Sequence, residues 1–324
     1  QHSGPPSANI GLPAVPKLVL AIESRPPSTL PSVKAISSNV PPTWTVAARA
    51  VALLDESRTI FEQEDDPHGL ARAVHCLGIA EEHLGNLARA IHWYGLGLDL
   101  REALGDEDGT AYSLNNLGSV YIRLGDLATA LEHYYRALPI AERAGGLILG
   151  VVHLNLADVF NRSNEPDLAL EHSLEALEVL RACGSRSNEG QALLGAGCIY
   201  RSRGEFERAG RFFDEALEAA RDAGYRELEA EVLGEIGRLR RELGDCEGAL
   251  GASRESIALA VETGNRFTEV ESLLNIGETC MLEGDRALAV ERLDRALALA
   301  AELGYAALAA EAHRALARVH EAEG

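Results

Sequence analysis

The sequence predicts an all-α fold, a solenoid of antiparallel helix pairs stacked in tandem. Three observations predict it. Apolar residues make up 46% of the 324-residue chain and aromatic residues only 5%, so the core is aliphatic and alanine-rich, which favours helix over strand. A glycine or its substitute recurs at Gly85, Gly125, Asn164, Gly204, Gly244, Gly284 and Gly324, in steps of 40, 39, 40, 40, 40 and 40. Small residues recur in phase with these punctuation marks. One ladder is Ala50, Ala90, Ala130, Ala169, Ala209, Ala249 and Ala289; another is Gly97, Ala137, Ala176, Ala216, Ser256 and Ala296; a third is Gly78, Gly118, Ala157, Gly197, Gly237, Gly277 and Ala317.

Residues 1–43 stand apart. They hold nine of the twelve prolines, seven serines and the only two lysines, Lys17 and Lys34. Such a segment cannot bury enough apolar surface to offset its ordering entropy. It reads as a linker or disordered tail, with residues 44–324 as the helical repeat domain. A docked tail, lying over the body as an internal pseudo-ligand, is the alternative.

From Trp44 onward the elements follow in order. Ala50 marks a helix that precedes the first complete unit. Each unit then has a helix A of about 14 residues, closed by the glycine, which suits a left-handed C-cap. Helix B follows and ends near Gly105, Gly145, Gly184, Gly224, Gly264 and Gly304 in successive units. Asn86, Asp126, Asp245 and Asp285 stand ready to cap helix B. Pro166 falls in a first turn, where proline is tolerated. Pro139 falls inside helix B of its unit, where a proline costs ~3 kcal/mol and kinks the helix. The small residues let helix axes approach, and Tyr94, Tyr134 and Phe213 fill the hollows. A single pair cannot bury its apolar face, so units stack. The last unit stops after helix A, which predicts an open apolar end face, available to a second copy or an adjoining domain.

Charge and cysteine content narrow the function. Thirty Lys+Arg against 50 Asp+Glu give a net charge of -20. That balance opposes nucleic-acid binding and attachment to an anionic membrane. Five cysteines, widely spaced and without a C-x-x-C pair, argue against a disulfide framework or a zinc site and for a reducing compartment, hence a cytoplasmic location. No phosphate-binding glycine loop follows a strand, and no carboxylate pair is set apart in an apolar pocket. His133 and His172 share one repeat position, which repetition explains better than metal. Neither an enzyme nor a cofactor is implied. A chain that starts at Gln1 and has Met281 as its only methionine is expected to have been cut from something longer, processed, or expressed as a segment.

The run Leu117-Gly118-x-x-Tyr121, Gly125-Asp126-x-x-x-Ala130, Tyr134 and Ala137-Leu138 resembles a tetratricopeptide repeat in its longer, 40-residue form. The resemblance covers about residues 44–324. It implies a right-handed superhelix of about six to seven repeats, with the A helices lining a concave wall where peptides or partner helices bind. The 40-residue form is similar to that of spindle-orientation adaptors and of bacterial signalling regulators. Glu81, Arg240 and Cys280 depart from the pattern, since the family has an aromatic there.

Transferred by repeat position, the resemblance implies a groove built from Arg72, Tyr112, Asn115, Asn116, Arg123, Asn155, Asp158, Arg162, Arg201, Arg238 and Asn275. Asn116, Asn155 and Asn275 occupy one repeat position. An amide both donates and accepts, so a spaced row of asparagines suits the backbone of an extended peptide. Arg72, Arg123, Arg162 and Arg201 make the first four units cationic inside an anionic chain, and arginine forks bind carboxylates. Acidic ligand groups are therefore expected over Asn115 to Arg201. The later units place seven glutamates against Arg238, Arg241, Arg314 and Arg318. The reading is a non-enzymatic protein- or peptide-binding module, the sensor or scaffold part of a larger bacterial signalling or transcription-regulating protein. A small-molecule sensor and a homodimerisation module are the alternatives.

Overall fold

The computed structural model describes residues 42–321. The linker expected over residues 1–43, and its possible docking, therefore lie almost wholly outside the described residues. Helix α1 spans Pro42–Gln63 and starts two residues before the predicted domain boundary. Helices of type A and type B then alternate along the chain: α2 (Pro67–His83) and α3 (Leu87–Leu104), α4 (Glu107–Leu124) and α5 (Leu127–Ala144), and α6 (Gly146–Arg162) and α7 (Pro166–Ala182). Next come α8 (Arg186–Ser202) with α9 (Phe206–Asp222), α10 (Arg226–Glu242) with α11 (Cys246–Thr263), and α12 (Arg266–Glu283) with α13 (Arg286–Glu302). Helix α14 (Ala306–Glu321) closes the series, and the described residues contain no strand. They fall into two compact units, one ending at Val159 and one beginning at Phe160.

The punctuation works through backbone conformation. Asp65, Gly85, Gly105, Gly125, Gly145, Asn164, Gly184, Gly204, Gly224, Gly244, Gly264, Gly284 and Gly304 all have positive φ. A side chain is disfavoured there, so each position ends a helix and redirects the chain. The next helix is then capped. Asp66, Asp106, Asp126, Asp245, Asn265 and Asp285 accept the backbone N–H three residues on. Asn86 does not cap α3; its amide donates to Glu81 Oε2 at 2.7 Å.

The alanine ladder is the inner seam. Ala50, Ala90, Ala130, Ala169, Ala209, Ala249 and Ala289 are all fully buried. The glycines of helix A accommodate bulk from helix B. A Cβ on Gly78 would stand 2.5 Å from the Tyr94 ring, one on Gly118 would stand 2.6 Å from Tyr134, and one on Gly197 would stand 2.6 Å from Phe213. These three rings are completely buried. In the second unit Val270, Leu273, Leu293, Leu308, Ala312 and Val319 form one aliphatic cluster across α12, α13 and α14.

Departures from the pattern have local solutions. Glu81, in an aromatic slot, is 2% exposed. Its carboxylate receives Arg89 Nη1 at 3.0 Å as well as Asn86. Cys280 simply joins the aliphatic cluster, 1% exposed. Helix α5 runs unbroken through Pro139. The open apolar end face is not found on α14. Its exposed positions include Ala310, His313, Arg314, Ala317, Arg318, His320 and Glu321, because alanine and charged residues replace large apolar ones there.

Candidate functional site

In the first unit the A-helix face comprises α2, α4 and the start of α6. Arg72 and Tyr112 are exposed, Tyr112 by 38%. Arg123 reaches back one repeat to Glu82, with Nη1 at 3.1 Å from the backbone carbonyl and 3.2 Å from Oε1. The asparagines turn inward. Asn115, Asn116 and Asn155 are 3%, 8% and 4% exposed. Asn155 Nδ2 donates to Asn115 Oδ1 at 2.8 Å, and Asn115 Nδ2 donates to Asn116 Oδ1 at 3.4 Å. Asn116 Nδ2 lies 3.5 Å from His75 Nε2. The expected row of amides facing a ligand is thus a correction: these amides tie neighbouring A helices together, because a buried amide must find a partner inside the protein. Asp158 is half-buried on α6.

Below this face lies a polar layer. Arg101 is 7% exposed, and its Nη1 lies 3.1 Å from His75 Nδ1 and donates to Gly109 O at 2.9 Å and Ser113 Oγ at 2.7 Å. Burial, helped by Arg101, pushes the His75 pKa down to about 3, so the ring is neutral. Tyr94 Oη donates to Glu82 Oε2 at 2.9 Å, and burial holds the phenol well above its ordinary pKa.

In the second unit Arg162 is half-buried, and α8, α10, α12 and α14 follow as successive A helices that touch directly. Their charges interlock across repeats. Arg201 Nε meets Glu235 Oε2 at 3.1 Å and its Nη1 meets Glu242 Oε1 at 2.7 Å. Arg238 bonds Glu235 at 3.1 Å and Glu271 at 3.5 Å. Arg241 donates to Asn275 Oδ1 at 2.7 Å and pairs with Glu278 at 2.9 Å. Arg318 also pairs with Glu278. Asn275, 3% exposed, donates to Ser253 Oγ at 2.7 Å. Arg201, expected to await ligand carboxylates, is therefore already neutralised by glutamates one repeat on, and Arg238 by Glu235 of its own helix and Glu271 one repeat on.

Two carboxyls are less fully compensated. Burial raises Glu231 to about 7; its hydrogen-bond partner is the Asn265 amide at 3.1 Å, and Glu227 and Glu235 raise it further. Burial also raises Glu271 to about 7, with Glu235 and Glu231 working against Arg238. Burial acts upward on Glu235 too, but Arg238 and Arg201 outweigh it and hold that carboxyl below its ordinary value. The sequence signal for this acidic row was its period: Gln191, Glu231, Glu271 and Glu311 stand at steps of 40.

A family model described as tetratricopeptide repeat matches residues 69–143, 148–222 and 189–260. No curated protein matches the sequence. Solved structures share the fold. The apo form of RapI is 13% identical, with a TM-score of 0.63 over 84% of this chain and 93% of that one. A Rap protein complexed with competence and sporulation factor is 18% identical, with a TM-score of 0.57 over 86% of this chain and 85% of that one. A signal-transduction ATPase with numerous domains and a tetratricopeptide repeat sensor, from Pyrococcus horikoshii, is 19% identical, with a TM-score of 0.62 over 96% of this chain and 49% of that one. None of the described helices is long and apolar enough to cross a membrane.

Proposed function

The chain belongs to the tetratricopeptide repeat family, and on that premise we propose that it is a non-enzymatic module binding a protein or peptide along the exposed face of its A helices. One observation carries the reading. Side chains at the A-helix positions are polar and partly exposed, and they bond across 33 to 41 residues of sequence, from one repeat to the next. A face of exchangeable hydrogen bonds and ion pairs suits a polypeptide lying across several repeats. Buried amides anchor the scaffold, so recognition falls to side chains rather than to an asparagine row. In the first unit Tyr112 and Arg72 are the exposed candidates, of the types that dominate interface energetics. Acidic ligand groups would meet Arg72, and Arg123 by exchange with Glu82. Likeness to a Rap protein complexed with competence and sporulation factor and to a sensor-bearing ATPase supports a sensor or scaffold role in a larger signalling protein. Five free thiols fit a cytoplasmic setting.

The test is selection of a random peptide-display library on the full chain, followed by fluorescence anisotropy. Selected peptides are expected to lose about tenfold or more in affinity to the Arg72→Glu, Tyr112→Ala double variant, equivalent to ~1.4 kcal/mol, while the melting temperature stays put. Failure to enrich any peptide, or unchanged binding by the variant, overturns the reading.

A further inference from the structure

Helices α11 and α13 are successive B helices, and both pack on the A helix α12. In three other repeats one position of helix A and one of helix B carry rings in contact. Tyr121 stacks on His133 with centroids 5.4 Å apart, Phe160 stacks on His172 at 5.4 Å, and Tyr200 meets Phe212 at 5.1 Å. In the repeat of α12 and α13 the same two positions hold Cys280 and Arg292. A thiol and a guanidinium form no ring pair, and in this repeat a cavity of about 220 Å³ lies between α11, α12 and α13.

Its lining is of two kinds. The floor is aliphatic: Leu273 and Ile276 of α12 are buried, and Ile257 and Leu288 are half-buried. The remaining lining is Arg254 from α11 with Arg292 and Arg295 from α13, and among the described residues no acidic side chain lines the cavity. Such a concentration of positive charge runs against a chain of net charge -20. It is also particular to this repeat. Asp214 and Asp294 hold the repeat position of Arg254, and Phe212 and Ala252 hold that of Arg292.

The three arginines differ in what they already hold. Arg295 donates to Glu269, 1% exposed, at 3.0 Å. Arg292 lies 3.4 Å from Glu291, an exposed neighbour in sequence. Arg254 makes no hydrogen bond or ion pair among the described residues. Arg254 and Arg292 act on one common group: burial raises the Cys280 thiol, Asp285 and Glu283 add to that, and both guanidiniums work against it.

We propose that this cavity is a binding site for a small organic anion, an apolar body that carries a carboxylate. Charge complementarity selects the anion, and arginine forks match a carboxylate. The aliphatic floor selects the apolar body, which leaves water on entering. At ~30 Å³ for a water-sized group, the cavity takes about seven heavy atoms, a compact molecule rather than an extended chain. The site shares no residue with the A-helix face described above and goes beyond that reading.

The probe is hexanoate, titrated calorimetrically against the full chain at low salt. Acetate, hexanamide and hexylammonium run in parallel, and each is expected to bind about tenfold more weakly or worse, for want of the apolar body or the negative charge. Arg254→Gln and Arg292→Gln should each weaken hexanoate about tenfold. Arg295 is left in place because it serves Glu269. Leu288→Trp puts a large ring into the cavity from a half-buried position and should abolish hexanoate binding, with thermal melting as the check on folding. Arg211→Gln, an exposed site on α9, makes the same change in net charge and should change nothing. Failure of hexanoate to bind, equal affinity for hexanamide or hexylammonium, or equal losses in Arg211→Gln overturns the site. So does unchanged binding in both Arg254→Gln and Arg292→Gln. If hexanoate fails while display-selected peptides lose affinity in those two variants, the cavity takes an acidic side chain of a partner, and the small-molecule site falls. None of these outcomes depends on Arg72 or Tyr112, so the peptide-binding reading stands or falls separately.

Discussion

At the scale of single residues, Glu231 couples stability to pH. Its carboxyl is raised from 4.5 to about 7, first by burial. Between those values the folded protein holds a proton that the unfolded chain has released, so the folded state loses stability as pH rises through this window. A shift of that size is worth at most about 3 kcal/mol, and partial exposure screens it to about 1–2. Glu231→Gln is therefore expected to be more stable than the native chain by that amount at pH 8, with the gain vanishing below pH ~4.5. Urea unfolding across pH checks it, and a variant less stable at pH 8 would disprove the uncompensated charge. Residue roles of this kind were only partly legible in the sequence. Repeat positions identified which side chains share the A-helix face. They did not say which were already engaged, because the partner sits one repeat away: Arg123 with Glu82, Arg201 with Glu242, Asn155 with Asn115. Opposite charges about 40 residues apart are the signal the sequence carries for the ionic pairs.

Elements were far more legible, because their boundaries are set by backbone conformation. Only a residue that tolerates positive φ can end each helix where the next must begin, and the punctuating glycines expected inside the described residues have it. The paired-helix contact was also readable, as small residues facing large ones. The two uses of glycine separate by experiment. Gly85 has φ +77, and a Cβ added there would meet nothing within 4 Å, so Gly85→Ala carries only backbone strain, about 1–2 kcal/mol. Gly118 has ordinary helical backbone, yet its Cβ would stand 2.6 Å from the fully buried Tyr134 ring. Gly118→Ala forces a rigid aromatic to move, and overpacking of this kind costs about 1–3 kcal/mol, offset by up to ~1 kcal/mol of helix propensity. The discriminating measurement is the double variant Gly118→Ala, Tyr134→Ala against Tyr134→Ala alone: with the ring gone, the alanine should turn from destabilising to neutral or stabilising. A penalty that persists would place the clash elsewhere. Glu81 shows where element reading ran out, since an aromatic slot filled by a carboxylate needs Asn86 and Arg89 to close it, and family pattern alone does not supply those partners.

At the scale of the whole molecule, two electrostatic effects oppose each other. The chain carries a net charge of -20, which repels itself in the compact state. Its acidic side chains are also threaded with arginines at short range, such as Arg201 with Glu242 at 2.7 Å and Arg186 with Asp222 at 2.6 Å. Added salt weakens both, but not equally. From about 10 mM to about 150 mM the screening length falls from ~30 Å to ~8 Å. Repulsion among charges on separate repeats acts beyond that length and is largely removed. Contact pairs lie well inside it, and exposed ones contribute only about 0–1 kcal/mol each to begin with. Repulsion is therefore the larger loss, and sodium chloride over this range is expected to raise the melting temperature by a few degrees, on the order of ~1 kcal/mol. Sodium chloride is the right salt, because sulfate would stabilise by exclusion from the surface and hide the effect. A melting temperature that falls over the same range would mean that the inter-repeat ion pairs outweigh the net charge.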